Sequence, residues 1–125
     1  SGCNVWPFYH NELEYVGITV HFVNSGVDTG NIILQKRSNL TFADNTHTVG
    51  CKNAVSSVSL LSRSIRYILR RPKFKGKKIK SKFSRICLKK NFNKDTIEKI
   101  NKNLHLGIVK KYLKNSKKIK IVDRL

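Results

Sequence analysis

The sequence predicts an α/β fold on three observations. Two short segments early in the chain carry β patterning, a long helical periodicity follows directly, and the remainder is basic and mostly helical. Residues 17–23, Gly-Ile-Thr-Val-His-Phe-Val, are β-branched or aromatic at most positions and alternate, which is a strand pattern. Residues 31–36, Asn-Ile-Ile-Leu-Gln-Lys, give a second strand. Between them lies Asn24-Ser25-Gly26-Val27-Asp28-Thr29-Gly30. This link is longer than a tight hairpin needs, and connections of that kind often carry function.

The helix follows from its start, its periodicity and its stop. Asp44, Asn45 and Thr46 supply capping side chains. Val49, Ala54, Val55, Val58, Leu61, Ile65, Ile68 and Leu69 then recur mostly at three- and four-residue intervals, which predicts an amphipathic helix over 46–70. Arg71-Pro72 ends it, because the residue before proline disfavours the helical conformation. Further on, the pattern predicts a short strand at 84–88 and a helix over 93–101 with Ile97 and Ile100 inward. A last helix is expected over 104–114, with Leu106, Val109, Tyr112 and Leu113 on one side.

Composition excludes several classes of protein. At 125 residues and 39% hydrophobic the chain is long enough for one small domain with a core. No apolar run is long enough for a membrane-spanning helix, and no basic segment leads into an apolar run as in a signal peptide. The expected location is cytoplasmic. Cys3, Cys51 and Cys87 are an odd count at wide spacing, so no disulfide framework is expected. His47 and Cys51 stand four apart on the long helix, but no second pair follows at zinc-site spacing. No metal is expected; His47 reads as a surface residue and Cys51 as a core-facing one.

The net charge of +19 is unevenly distributed. Only three of the 26 bases, Lys36, Arg37 and Lys52, precede residue 61, whereas four of the seven acids do. Residues 1–60 thus carry a net −1 and the remainder +20. The densest run is Arg70 to Arg85, with nine bases in sixteen residues, and its Pro72 and Gly76 mark it as an exposed connector. The chain divides on this basis into residues 1–70 and a basic tail, 71–125. A run of this kind attracts polyanions, so a small basic RNA-binding module without catalysis is the alternative reading, nucleic acid binding through residues 70–85. Phe74 and Phe83 within the run form no recognisable stacking motif. The tail is rich in Lys, Asn and Ile together, as A/T-biased coding gives, and solvated lysines of that origin need no partner.

One segment carries a resemblance. Gly17-Ile-Thr-Val-His-Phe-Val-Asn-Ser-Gly-Val-Asp-Thr-Gly-Asn-Ile-Ile-Leu-Gln35 resembles the folate-dependent formyltransferases, with the pattern of a strand, a Gly-x-Asp-x-Gly loop (Gly26, Asp28, Gly30) and a strand ending in Gln35. That superfamily includes the glycinamide ribonucleotide, methionyl-tRNA and nucleotide-amino-sugar enzymes. Residues 46–60, including Lys52 and Asn53, are similar to the family's next helix. Residues 1–8 look like the stretch after its tyrosine-arginine-glycine turn, and parts of residues 86–113 like the tails of some members. Asn91 departs from the pattern, since such tails often place an aspartate there.

The resemblance implies the late strands and helices of a Rossmann-like formyltransferase domain, followed by a basic helical tail. It implies formyl transfer from 10-formyltetrahydrofolate to the amine of a small acceptor, a nucleotide-linked amino sugar being the preferred one. Asp28 takes the catalytic carboxylate role, and Asn24, Ser25, Gly26, Val27 and Asp28 line the folate. Thr19 and His21 share one strand face and are pocket candidates. Trp6 is expected to pack rather than to line the acceptor site. A carboxylate beside a histidine favours the protonated ring and lets it donate, which suits proton movement between two nitrogens. The family's Asn-x-His strand and Ser-Leu-Leu-Pro turn do not occur before Gly17, and the chain contains no methionine. The expectation is therefore a C-terminal fragment, of weak or no activity alone, whose partner is a missing N-terminal formyltransferase half.

Overall fold

A computed structural model describes residues 4–26, 28–78, 87, 89–115 and 119–125. The chain opens with a short helix, α1 (Trp6–His10), which carries Pro7 in its first turn and ends at Asn11 in the left-handed conformation. Proline fits there because its missing N–H is unpaired at a helix start in any case. A 3₁₀ turn (Leu13–Tyr15) leads into β1 (Gly17–His21), and β2 (Ile32–Arg37) returns antiparallel to it. The long helix α2 (Thr46–Arg70) follows, then α3 (Lys94–His105) and α4 (Ile108–Lys114).

The two predicted strands and the helix over 46–70 are thus present. The strand expected at 84–88 lies outside the described residues apart from Cys87. The final helices divide differently from the expectation, because Gly107 adopts a positive φ of 73° and separates α3 from α4. Leu106 falls in that break and is exposed, as is Ile97 on α3, while Ile100 and Val109 are buried.

Sheet register shapes the region around Asp28. Ile18 pairs with Lys36, Thr19 with Gln35 and Val20 with Leu34, but His21 pairs with Ile32. Ile33 is therefore an extra residue, a bulge, and both it and its neighbour Leu34 are buried. They pack with Leu60 of α2, joined by Ile18, Val20, Phe22, Ile68, Phe74 and Leu125. A second core cluster gathers Phe8, Leu13, Val16, Leu40, Val49, Ile100, Ile108 and Val109, so α1, the start of α2, α3 and α4 share one apolar interior. Trp6 stands edge-on to Tyr9 at 5.6 Å and to Phe92 at 6.4 Å.

The two edges of the sheet differ. On the outer side of β2, Ile32 exchanges backbone hydrogen bonds with Lys77, and the Gln35 N–H donates to the Val122 carbonyl at 2.6 Å. The Gln35 side chain completes the attachment by accepting from the Val122 N–H and donating to Thr19 Oγ1. Among the described residues no third strand pairs with β1.

Helix α2 is amphipathic in a way that periodicity alone does not reveal. It buries Val49, Asn53, Leu60 and Ser64. Val55, Val58, Leu61, Ile65 and Leu69 form a separate stripe that stays 48–77% exposed. Cys51, expected to face the core, is exposed, with its Sγ 3.8 Å from His47 Nε2. Among the described residues, no helix is long and apolar enough to cross a membrane.

Candidate active-site loop at the end of the first strand

The loop between β1 and β2 is held by short polar contacts rather than by apolar packing. Asn24 Oδ1 accepts from the Gly26 N–H at 3.1 Å and from Thr29 Oγ1 at 2.6 Å, closing the loop on itself. This is local side-chain turn chemistry, which asparagine supplies readily. Gly30 is there for space: a Cβ would sit 1.5 Å from the Phe22 carbonyl oxygen. The backbone therefore approaches the strand end as only glycine permits.

Asp28 sits at the outer turn of this loop with φ of 54°, the left-handed region that aspartate tolerates better than most residues. Its side chain is 83% exposed, and its Oδ1 lies 3.6 Å from His21 Nε2. His21 Nδ1 is 2.8 Å from the Phe22 carbonyl oxygen. A carbonyl only accepts, so Nδ1 carries the proton and Nε2 is the atom turned to Asp28. In the neutral ring Nε2 offers a lone pair; in the protonated ring it offers a donor. The contact is an ion pair only in the second state.

Two of the predicted pocket residues, Thr19 and His21, line one groove of about 650 Å³ between β1 and α2, with Val58, Leu61, Ile65 and Arg66 on the helix side. Asn24 and Gly30 border a smaller hollow of about 330 Å³ with Phe22, Phe74 and Lys75. Ser25 and Gly26 are exposed on the loop, and Val27 lies outside the described residues. The arrangement can hold and move a proton at Asp28 and His21. Both hollows are open to solvent.

A second carboxylate contrasts with the first. Asp44, just before α2, is buried and accepts from Lys52 Nζ at 2.6 Å, from the Thr41 N–H and Oγ1, and from Thr48 Oγ1. Burial opposes its charge, but Lys52, the Thr41 amide and the two hydroxyls outweigh burial and hold the carboxyl far below the usual range. Asn45 caps the helix by accepting from the His47 and Thr48 amides. Asn53 donates to Asn4 and accepts from Ser38. These groups are saturated by their own neighbours and anchor the start of α2.

Sequence reasoning placed Asp28 and His21 near one pocket without bringing them into contact. The bulge that pairs His21 with Ile32 has no sequence signal of its own. It took Asp44 only as a capping residue, although the Thr41-to-Asp44 spacing is a signal for a side-chain-closed turn. Among the described residues no three His, Cys, Asp or Glu side chains gather as a metal site.

Residues 9–65, which span β1, the Asp28 loop, β2 and most of α2, match the family model described as formyl transferase. No curated protein and no solved structure gives a significant match.

Proposed function

We propose that this chain, whose residues 9–65 match the formyl transferase family model, contributes the carboxylate side of a formyl-transfer site that uses 10-formyltetrahydrofolate. The donor supplies the formyl carbon. The acceptor is a neutral amine on a small molecule, and a nucleotide-linked amino sugar suits the field of a chain with net charge +19, which raises its encounter rate with a diphosphate. The remaining elements of the site lie on an N-terminal formyltransferase half.

Proton bookkeeping sets what Asp28 must do. The acceptor nitrogen's lone pair forms the new bond to the formyl carbon, and the bond from that carbon to the donor nitrogen breaks. One proton passes from the attacking nitrogen to the leaving one. A carboxylate that is exposed, charged and in contact with a histidine suits that passage. Asp28 receives or orients the proton, with His21 Nε2 in reach as a relay. Asn24, Ser25, Gly26 and Asp28 are exposed on the loop and can lie against the donor's flat ring. The observation that carries this reading is that the family match covers a loop whose carboxylate is exposed beside His21.

The test joins residues 1–125 to an N-terminal formyltransferase half and measures formyl transfer from 10-formyltetrahydrofolate to an amino-sugar nucleotide. Asp28→Asn is expected to lower kcat by about 10²–10⁴-fold, the usual contribution of a positioned acid or base. Turnover unchanged by Asp28→Asn overturns the role of Asp28. Measurable turnover by the 125-residue chain alone overturns the need for a second half.

A further inference from the structure

A hollow of about 360 Å³ lies between the 3₁₀ turn before β1 and the last two helices. It shares no lining residue with the hollows beside Asp28. Its deep polar group is Asn103 on α3, which is 8% exposed. Asn103 Nδ2 donates to the Phe8 carbonyl at 2.8 Å and to the Tyr9 carbonyl at 3.1 Å, two of the carbonyls left open at the end of α1. The amide cannot flip, because its oxygen would then face two other oxygens. Oδ1 is therefore turned away from α1, and no described residue donates to it. Buried acceptors are normally filled. Beside it stand one acid and one base. Glu14, half-buried on the turn, and Lys111 on α4 both line the hollow, yet among the described residues neither forms an ion pair. Leu13 and Ile108 give the hollow an apolar base and are buried, whereas Leu106 lines it and is 60% exposed.

We propose that this hollow binds a free α-amino acid with an apolar side chain. Asn103 Oδ1 and the Glu14 carboxylate are both acceptors and take the ligand's ammonium, Lys111 takes its carboxylate, and Leu13, Leu106 and Ile108 take its side chain. Charge decides for a zwitterion. A lone cation meets Lys111 and the field of a chain with net charge +19, and a lone anion meets Glu14. A ligand carrying both charges on one carbon answers all three groups. Size points the same way. Small-molecule sites run from about 300 to about 1,000 Å³, and this hollow stands at the low end, which suits a single amino acid rather than a nucleotide or a folate. Glu14 lies inside the matched stretch 9–65, whereas Asn103 and Lys111 lie beyond it, so the site is assembled with this chain's own tail. It depends on no part of the formyl-transfer reading.

The test titrates the full chain with L-leucine, L-isoleucine, L-methionine and L-phenylalanine and follows its amide signals by NMR. At least one of them is expected to bind saturably, with Kd of about 1 mM or tighter, and to shift the Leu106, Gly107 and Tyr112 amides. Two relatives of the bound amino acid separate its charges. Its carboxamide, which lacks the carboxylate, and its des-amino acid, which lacks the ammonium, are each expected to bind about 10-fold more weakly. Glu14→Gln and Lys111→Gln are each expected to weaken binding by about the same factor. Slow exchange of the Asn103 side-chain amide protons reports that α1 and α3 remain docked in each variant. No saturable binding by any of the four amino acids up to about 20 mM overturns the proposal. Equal binding of the carboxamide or the des-amino acid also overturns it, because the hollow is then an apolar cleft without charge recognition. Binding insensitive to both substitutions does the same.

Discussion

Asp28 and Asp44 are both placed by short polar turns, and the fold treats them oppositely. Asp44 is 3% exposed at its side chain, with Lys52, Thr41 and Thr48 satisfying its oxygens. Asp28 is 83% exposed, in a left-handed backbone conformation, with His21 at 3.6 Å. A carboxylate whose lone pairs are filled by its own chain has nothing left for a ligand, and its charge is committed to stability. A carboxylate left unfilled contributes little to the fold and is free for chemistry. The sharpest way to break this comparison is turnover in the joined enzyme. There, Asp28→Asn is expected to cost about 10²–10⁴-fold. Asp44→Asn is expected to leave kcat within a few-fold wherever the protein stays folded. Equal losses in folded protein erase the distinction.

Stability should show the reverse order. Asp44→Ala removes the acceptor for Lys52 and two threonines at a buried position, for an expected loss of about 2–4 kcal/mol in urea unfolding. The pH dependence carries the same signature. The carboxyl's value in the folded chain lies far below its ordinary 3.8, so its contribution is fully present above that value. It is lost as the pH falls from there through the folded value. The gap between the native chain and Asp44→Asn should therefore be constant above about pH 5 and narrow on further acidification. A gap that persists unchanged at pH 2 removes the charge from the explanation.

Gly30, two residues after Asp28, brings the loop close against the end of β1. A Cβ there would collide with the Phe22 carbonyl oxygen, so Gly30→Ala must push the strand end and the loop apart. The expected cost is about 1–3 kcal/mol, with the His21 ring signals shifting in the NMR spectrum as its contact with Asp28 is lost. An unchanged melting curve and an unchanged His21 environment show instead that the loop has room.

What sequence made legible follows the same division. Local chemistry was readable: the strands over 17–23 and 31–36, the capping at Asp44 to Thr46, the stop at Pro72, and a loop with Asp28 at its turn. Relations between elements were not. Ile33 as a bulge residue, and with it the approach of His21 to Asp28, depends on pairing across the sheet. Periodicity placed Val55, Val58, Leu61, Ile65 and Leu69 on one side of α2 but could not say that the core lies on another, where Asn53 and Ser64 are buried and hydrogen-bonded. Small polar residues that satisfy themselves pass for surface in a sequence, and uncovered aliphatic ones pass for core.

The smallest expected effect is the stability change on Asp28→Asn, and its smallness is the point. Asparagine tolerates the left-handed conformation at least as well as aspartate, so the backbone loses nothing at φ of 54°. The exposed contact with His21 is worth little, because solvent screens both groups and the side chains must be ordered to form it. The two terms oppose each other, and the net change in urea unfolding at neutral pH should stay within about 0.5 kcal/mol. A loss above about 1 kcal/mol would make Asp28 a structural carboxylate of the same kind as Asp44. A near-silent substitution in the fold, paired with a large loss of turnover in the joined enzyme, is the combination that only a functional carboxylate produces.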